Sequence, residues 1–313
     1  MDNRNRRRPK PLARTDIIDE VEEGSAPDVE VFQLEGVEPE RRQKSQKRWL
    51  DEVKTTVWQG DEPQALPPVR YGSQRQGHAP RAPRRQPKLI EAPARIKVQS
   101  VARISPDPQL WLMTHPESDQ AEQFRVLVLG LREEHGARVV AVASPTRKGH
   151  GQLAAVNIAL AFAEGGRSRT VLIDADLRGS KIGELLDLQQ QPTLADQIRQ
   201  HRKNPESDWI TFGLSATLHY VPAGPSERNP ASLLSSEVMS QMMGEMRRYF
   251  DFIILSTPPV MDSADVNILQ EHVDGVVLVV RSGVTRRDSV TASVNRLGVS
   301  HLLGTVLVDT RRR

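Results

Sequence analysis

The chain is 313 residues long, with a formal charge of +3, no cysteine and only 4% aromatic residues. The missing cysteine excludes a disulfide framework, a zinc–thiolate site and an iron–sulfur cluster. So small a positive excess, despite a pI near 9.3, gives nucleic acid no special claim as a partner.

The first ten residues, Met1–Lys10, lack the apolar core of a secretory signal. Apolar runs such as Val276–Val280 after Gly275 have strand length and are far short of a membrane span. A soluble, cytoplasmic protein is expected. Residues 1 to about 105 alternate in charge by block. Arg4–Lys10 is basic, Asp16–Glu40 acidic, Arg41–Arg48 basic, and Arg75–Lys97 basic and proline-laden. Such a stretch cannot bury enough apolar surface to offset its ordering entropy, so a disordered arm is expected over 1–105 and a folded domain over 106–313. Within the arm, Trp49, Leu50, Val53, Val57 and Trp58 recur at helical spacing. That predicts a docking helix over 42–58, suited to a partner groove or an anionic membrane surface.

From Ser118 the texture changes. Asp119–Leu131 carries Phe124, Leu127, Val128 and Leu131 on one helical face. Strand-like runs follow at Val139–Ser144, Thr170–Ile173, Leu218–Val221, Phe252–Leu255, Val276–Val280 and Thr305–Val308. Helical segments separate them near Leu153–Glu164, Ala231–Arg248, Ala264–Glu271 and Thr285–Leu297. This alternation predicts an α/β domain of about 200 residues, a parallel sheet with helices on both faces. Its organising stretch is Arg138–Asp176. There a Val/Ala strand ends in Ser-Pro, a loop with Gly149 and Gly151 follows, then an Ala-rich helix, then a strand stopping on Asp174 and Asp176. A glycine loop between strand tip and helix N-terminus is where phosphate is normally held, because free backbone N–H groups and the helix dipole face it.

Several stretches in this order resemble the bacterial tyrosine kinases of exopolysaccharide and capsule export, members of the deviant-Walker P-loop class with the Min and Par ATPases. Glu122-Gln-Phe-Arg125-Val-Leu-Val128 is similar to that family's Glu-x-x-Arg-x-x-Arg oligomerisation helix, with Val128 in place of the second arginine. Val171–Arg178 matches its Walker A′ segment, and Asn229–Ser236 its Asn-Pro-x-x-Leu-Leu-x-Ser element. Phe252–Val260 with Asp265 resembles its Walker B strand and the helix after it, and Asp274–Arg281 its next strand. The resemblance spans roughly residues 117 to 310 and implies a P-loop-NTPase-like sheet.

The departures fall on the chemistry. In the ungapped register the family's Gly-Glu-Gly-Lys-Ser-Thr lies on Lys148-Gly149-His150-Gly151-Gln152-Leu153, so Gly151 replaces the Walker lysine and Gln152 and Leu153 the hydroxyls. Sliding by one residue leaves Gln152 at the lysine position and Leu153 at the hydroxyl. In either register the charge that grips the β/γ-phosphates and the hydroxyl that holds Mg²⁺ are missing. Ser256 stands at the Walker B aspartate, Val308 at the asparagine that reads adenine, and no tyrosine-rich tail follows. A charge-assisted hydrogen bond contributes roughly 1.5–3 kcal/mol. Losing three such groups would cost roughly 4–8 kcal/mol, on the order of a thousandfold or more in affinity.

The resemblance therefore implies no catalytic residue, with Asp174 and Asp176 as remnant acids. The vestigial nucleotide site would comprise Lys148, Gly149, Gly151, Asp174 and Asp176, and Glu122 and Arg125 would offer half of a ring-type oligomer contact. No cofactor and no metal is expected; His150, His115, His219 and His301 show no ligand spacing. The function implied is that of a degenerate kinase-like regulator or scaffold of exopolysaccharide, capsule or holdfast-type export. Its partners would be a membrane chain-length or copolymerase protein, or an active kinase paralogue, and it would be recruited to the inner face of the cytoplasmic membrane. Two alternatives stay open. One is a residual ATP- and Mg-dependent tyrosine kinase or ATPase working through Lys148, Asp174 and Asp176; the other is a Par- or Min-like positioning ATPase.

Overall fold

A computed structural model describes residues 29–33, 95–101, 104–133 and 135–308. The helix expected over 42–58 lies outside them. The strands are β1 (Val29–Gln33), β2 (Ile96–Ser100), β3 (Val139–Ala143), β4 (Thr170–Asp174), β5 (Trp209–Gly213), β6 (Leu218–Val221), β7 (Phe252–Ser256), β8 (Gly275–Arg281) and β9 (Leu302–Val308). They form one sheet in the order β1-β9-β8-β3-β7-β4-β6-β5-β2.

The central runs are apolar without interruption because both faces of the sheet are covered. Alternation then sorts their side chains. Val140, Val142, Leu172, Ile254, Val277 and Val279 pack into one layer with helices Asp119–Glu133 and Gly151–Ala163. Val139, Val171, Ile173, Ile253 and Leu255 face the other way, onto helices Leu194–Lys203 and Glu237–Tyr249. Ala141, Val276 and Leu278 share that second side with helix Arg287–Leu297. Helix Gly151–Ala163 is buried along almost its whole circumference, between the sheet and helix Asp119–Glu133, which is why it is built from alanine and other small residues.

The expected parallel sheet is present from β9 to β6, and an antiparallel pairing is added on either side of it. Strands β9, β8, β3, β7, β4 and β6 run parallel, whereas β1 opposes β9 and β5 opposes β6. The physical reason is the short connection between β5 and β6: Gly213 pairs with His219, too few residues apart for a crossover. The expected boundary at 105 also moves. β2 lies beside β5 in parallel register, Ile96 against Trp209, with Trp209 N–H donating to the Arg95 carbonyl and Arg95 paired with Glu206. Residues 29–33 likewise pair with β9. Both strands fall in the stretch expected to be arm.

The helix expected over Ala231–Arg248 is two helices, Pro230–Leu234 and Glu237–Tyr249. Ser236 divides them, donating its hydroxyl proton to the Leu233 carbonyl at 2.6 Å while its Oγ accepts from Met239 N–H as an N-cap. The parallel strands end together, and β3 is a switch point, with β7 and β4 on one side of it and β8 on the other. Ligands of open α/β sheets bind at such a place, outside the carboxyl ends of the strands.

Candidate functional site

The loop after β3 begins at buried Ser144, whose hydroxyl donates to the Thr146 carbonyl at 2.8 Å. A tight turn over Arg147–Gly149 closes with Gly149 N–H donating to Thr146 O, and helix Gly151–Ala163 starts directly after His150. The two glycines have a steric cause. A Cβ on Gly149 would lie 2.6 Å from Ser144 Cβ, and one on Gly151 would lie 3.0 Å from Ser144 Oγ. Between them His150 adopts φ 60, a left-handed backbone usually given to glycine. Burial, and then the Arg281 guanidinium nearby, lower the pKa of its imidazole.

Beside this loop is a cleft of about 260 Å³, lined among others by Arg147, His150, Gln152, Asp176 and Lys181. Lys148, the sequence's candidate cation, is exposed and lies outside that lining. Arg147 enters instead. Its Nη1 lies 3.5 Å from Asp176 Oδ2 and its Nε lies 3.2 Å from Asp262 Oδ2. Gln152 Nε2 donates to Asp176 Oδ2 at 2.9 Å, while its Oε1 accepts from Lys181 N–H at 3.0 Å. Asp176 Oδ1 accepts from Arg178 N–H at 3.1 Å. Desolvation raises the pKa of the Asp176 carboxyl, against the pull of these donors.

Asp174 turns elsewhere. Its Oδ2 accepts from the Ser180 hydroxyl and from Tyr220 OH at 3.4 Å, and its Oδ1 accepts from Asp176 N–H at 3.3 Å. Desolvation lifts its pKa to about 7, with the Asp176 charge adding to the rise. Asp174 lines a second cleft, of about 1090 Å³, between residues 180–193 and the chain after β6. The two acids are thus two residues apart in sequence and open onto different clefts.

The third buried acid, Asp265, is held bidentately by Arg178, Nε to Oδ2 at 2.7 Å and Nη2 to Oδ1 at 3.1 Å. Ser256 is buried next to Asp174 in the β4–β7 register, and its hydroxyl has no hydrogen-bond partner among the described residues. Val308 is buried in the apolar layer. Among the described residues no three His, Asp or Glu side chains are grouped to hold a metal ion. No helix there is long and apolar enough to cross a membrane.

Glu122 and Arg125, the residues expected to form an oligomer contact, sit on helix Asp119–Glu133 in the outer layer. Arg125 is engaged within its own chain: Nε and Nη2 each donate to the Glu164 carboxylate at 2.7 Å, Nη1 reaches Glu122 at 3.1 Å, and Nη2 donates to Pro116 O. Val128 faces the core.

No family model matches the chain. Tyrosine-protein kinase YwqD of Bacillus subtilis is 30% identical over 200 residues, which is 62% of this chain and 83% of that protein. The chain belongs to the bacterial tyrosine kinases. The putative tyrosine-protein kinase CapB of Staphylococcus aureus is a second relative, 26% identical over 174 residues, covering 55% of this chain and 75% of that one. The fold is shared with the chimerical protein CapA2B2, at a TM-score of 0.59 and 21% identity over 68% of this chain and 93% of that one. It is also shared with the kinase domain of Escherichia coli tyrosine kinase ETK, at 0.55 and 20% over 65% and 82%.

Within this bacterial tyrosine kinase, sequence reasoning named Gly149, Gly151, Asp174 and Asp176, and the structure places all four at the ends of β3 and β4. It missed Arg147, Ser180 and the pairing of Arg178 with Asp265. Two adjacent basic residues in a tight loop were the available signal for Arg147.

Proposed function

We propose that this bacterial tyrosine kinase is catalytically degenerate and acts as a cytoplasmic regulator or scaffold of exopolysaccharide export, of the capsule or holdfast type. The observation that carries this reading is the saturation of its acids. Asp174 accepts from Ser180, Tyr220 and a backbone amide; Asp176 accepts from Gln152 and Arg178 N–H and pairs with Arg147; Asp265 is held by Arg178; and Asp262 pairs with Arg147. A metal–phosphate complex would have to displace these contacts, and charge-assisted ones contribute roughly 1.5–3 kcal/mol each. His150 supports the ungapped register, because its left-handed backbone falls where the family loop has its second glycine. Gly151 then stands at the lysine position and opens the helix with no side chain to reach a phosphate.

Phosphoryl transfer rests almost wholly on positioned charge around the transferred group. A fold that keeps its surfaces while its acids are internally neutralised is suited to docking. The partners of that docking would be a membrane chain-length or copolymerase protein or an active kinase paralogue, at the inner face of the membrane. Titration calorimetry of the full chain with Mg·ATP, together with a tyrosine-phosphorylation assay, tests the reading. The expected result is no binding heat at about 0.1 mM nucleotide, where relatives with an intact site would be near saturation at a micromolar Kd. ATP-dependent phosphorylation that disappears in an Asp176→Asn variant would overturn it and establish the residual-kinase alternative, which membership of a kinase family favours.

A further inference from the structure

The second cleft is unlike the first in charge. Its walls carry the exposed carboxylates of Glu184 and Asp187 and the side chains of Gln189, Gln190 and Gln191, with buried Asp174 at its base. No lysine, arginine or histidine lines it among the described residues. A phosphate or other anion entering would meet carboxylates and no cation, so the chemistry admits a positively charged ligand and disfavours a negative one. Leu188, Pro222 and Pro225 add apolar surface against which the stem of a lysine or arginine can lie.

The topology says what is delivered there. β2 runs parallel to β5, and β5 opposes β6 with Phe212 against Tyr220. The start of β2 therefore lies at the edge of the sheet where β6 ends, which is the edge holding this cleft. Two strand spacings, about 10 Å, separate β2 from β6. The twenty residues before Arg95, residues 75–94, contain Arg75, Arg81, Arg84, Arg85 and Lys88 against a single acid, Glu91. That stretch also holds Pro80, Pro83, Pro87 and Pro93. Lys88 is seven residues from Arg95, and seven residues of extended chain at about 3.1 Å each reach about 22 Å at most.

We propose that the acid-lined cleft between residues 180–193 and the β6 end is the docking site for the chain's own basic, proline-rich segment, residues 75–94, bound in cis. The prolines reduce the entropy lost on docking, and the acids supply the complementary charge. The contact fastens the segment that connects β1 to β2 against the folded domain, and it does not depend on whether nucleotide is turned over.

Lys88 is the only lysine in that segment, which makes the test specific. The full chain, mixed from ¹⁴N- and ¹⁵N-labelled preparations, is treated with a zero-length carbodiimide coupler and the joined peptides are identified by mass spectrometry. The expected product joins Lys88 to Glu184 or Asp187 within one isotopic copy. It should fall severalfold at 1 M salt, where the screening length is about 3 Å. It should fall as far in a variant carrying Arg81→Gln, Arg84→Gln and Arg85→Gln. A Glu184→Gln/Asp187→Asn variant should lose it altogether, and asparagine tolerates the φ of 52 at position 187. Lys88 joined equally to carboxylates elsewhere, or joined to Glu184 and Asp187 only between the two isotopic copies, overturns the proposal.

Discussion

Asp174 and Asp176 leave the end of one strand two residues apart, and each opens onto a cleft that the other does not line. In the first cleft the carboxylate meets Arg147, Gln152 and an exposed rim containing Lys181; in the second it meets two hydroxyls and, among the described residues, no cation at all. Strand alternation alone does not separate them, since two residues apart on a strand means the same face. The chain leaves β4 at Asp174, and the turn that follows sends Asp176 towards the loop after β3. One carboxylate lies against an opposite charge, the other against hydroxyls, and burial raises the pKa of both. Similar burial thus ends in two different electrostatic solutions.

The largest effect that sharpens this contrast concerns the proton on Asp174. Its folded pKa, about 7, lies above the ordinary 3.8, so its contribution to stability is complete below pH 3.8 and lost as pH rises through 7. Over that window the loss amounts to roughly 4 kcal/mol at most. An Asp174→Asn variant, which cannot ionise, should show a correspondingly flatter stability profile when denaturant unfolding is measured at pH 4.5 and pH 8. A variant whose profile parallels the parent's would mean that the second cleft is wetter than its geometry indicates.

Gly149→Ala acts on the first cleft alone. The added methyl meets Ser144 Cβ, which is fixed to the strand end and cannot swing away, so a loss of about 2 kcal/mol is expected. Denaturant midpoints measure it, and the pH dependence carried by Asp174 should persist. Arg147→Ala gives the smallest change, about 1 kcal/mol, because the guanidinium is half exposed and solvent screens its pairs. Its diagnostic sign lies in titration: with its cation gone, Asp176 should take up a proton at higher pH, read from carboxylate NMR shifts.

Much of the fold was legible because hydrophobic runs of strand length alternate with helical ones, and β3, β4, β7 and β8 fall where those runs lie. Helix Leu194–Lys203 was missed although it announces itself: Thr193 and Asp196 form a capping box, each side chain accepting from the other's backbone N–H. β2 was hidden for a different reason. Ile96 and Val98 are two apolar residues at the end of a basic stretch, and only the edge of β5, distant in sequence, makes a strand of them. At the site, sequence reasoning could see which residues had been lost, since a glycine in a lysine's place is a local fact. What replaced them depends on contacts from Arg147 to Asp176 and Asp262, which no local spacing encodes.

Helix Gly151–Ala163 begins under the loop after β3 and ends at Glu164, where the Arg125 fork grips it. A rod enclosed along almost its whole circumference has little soft flank into which a displacement can leak. Pressure on its first turn must arrive at its last, so the tip of β3 and the outermost helix are mechanically one lever, whatever comes to rest at either end.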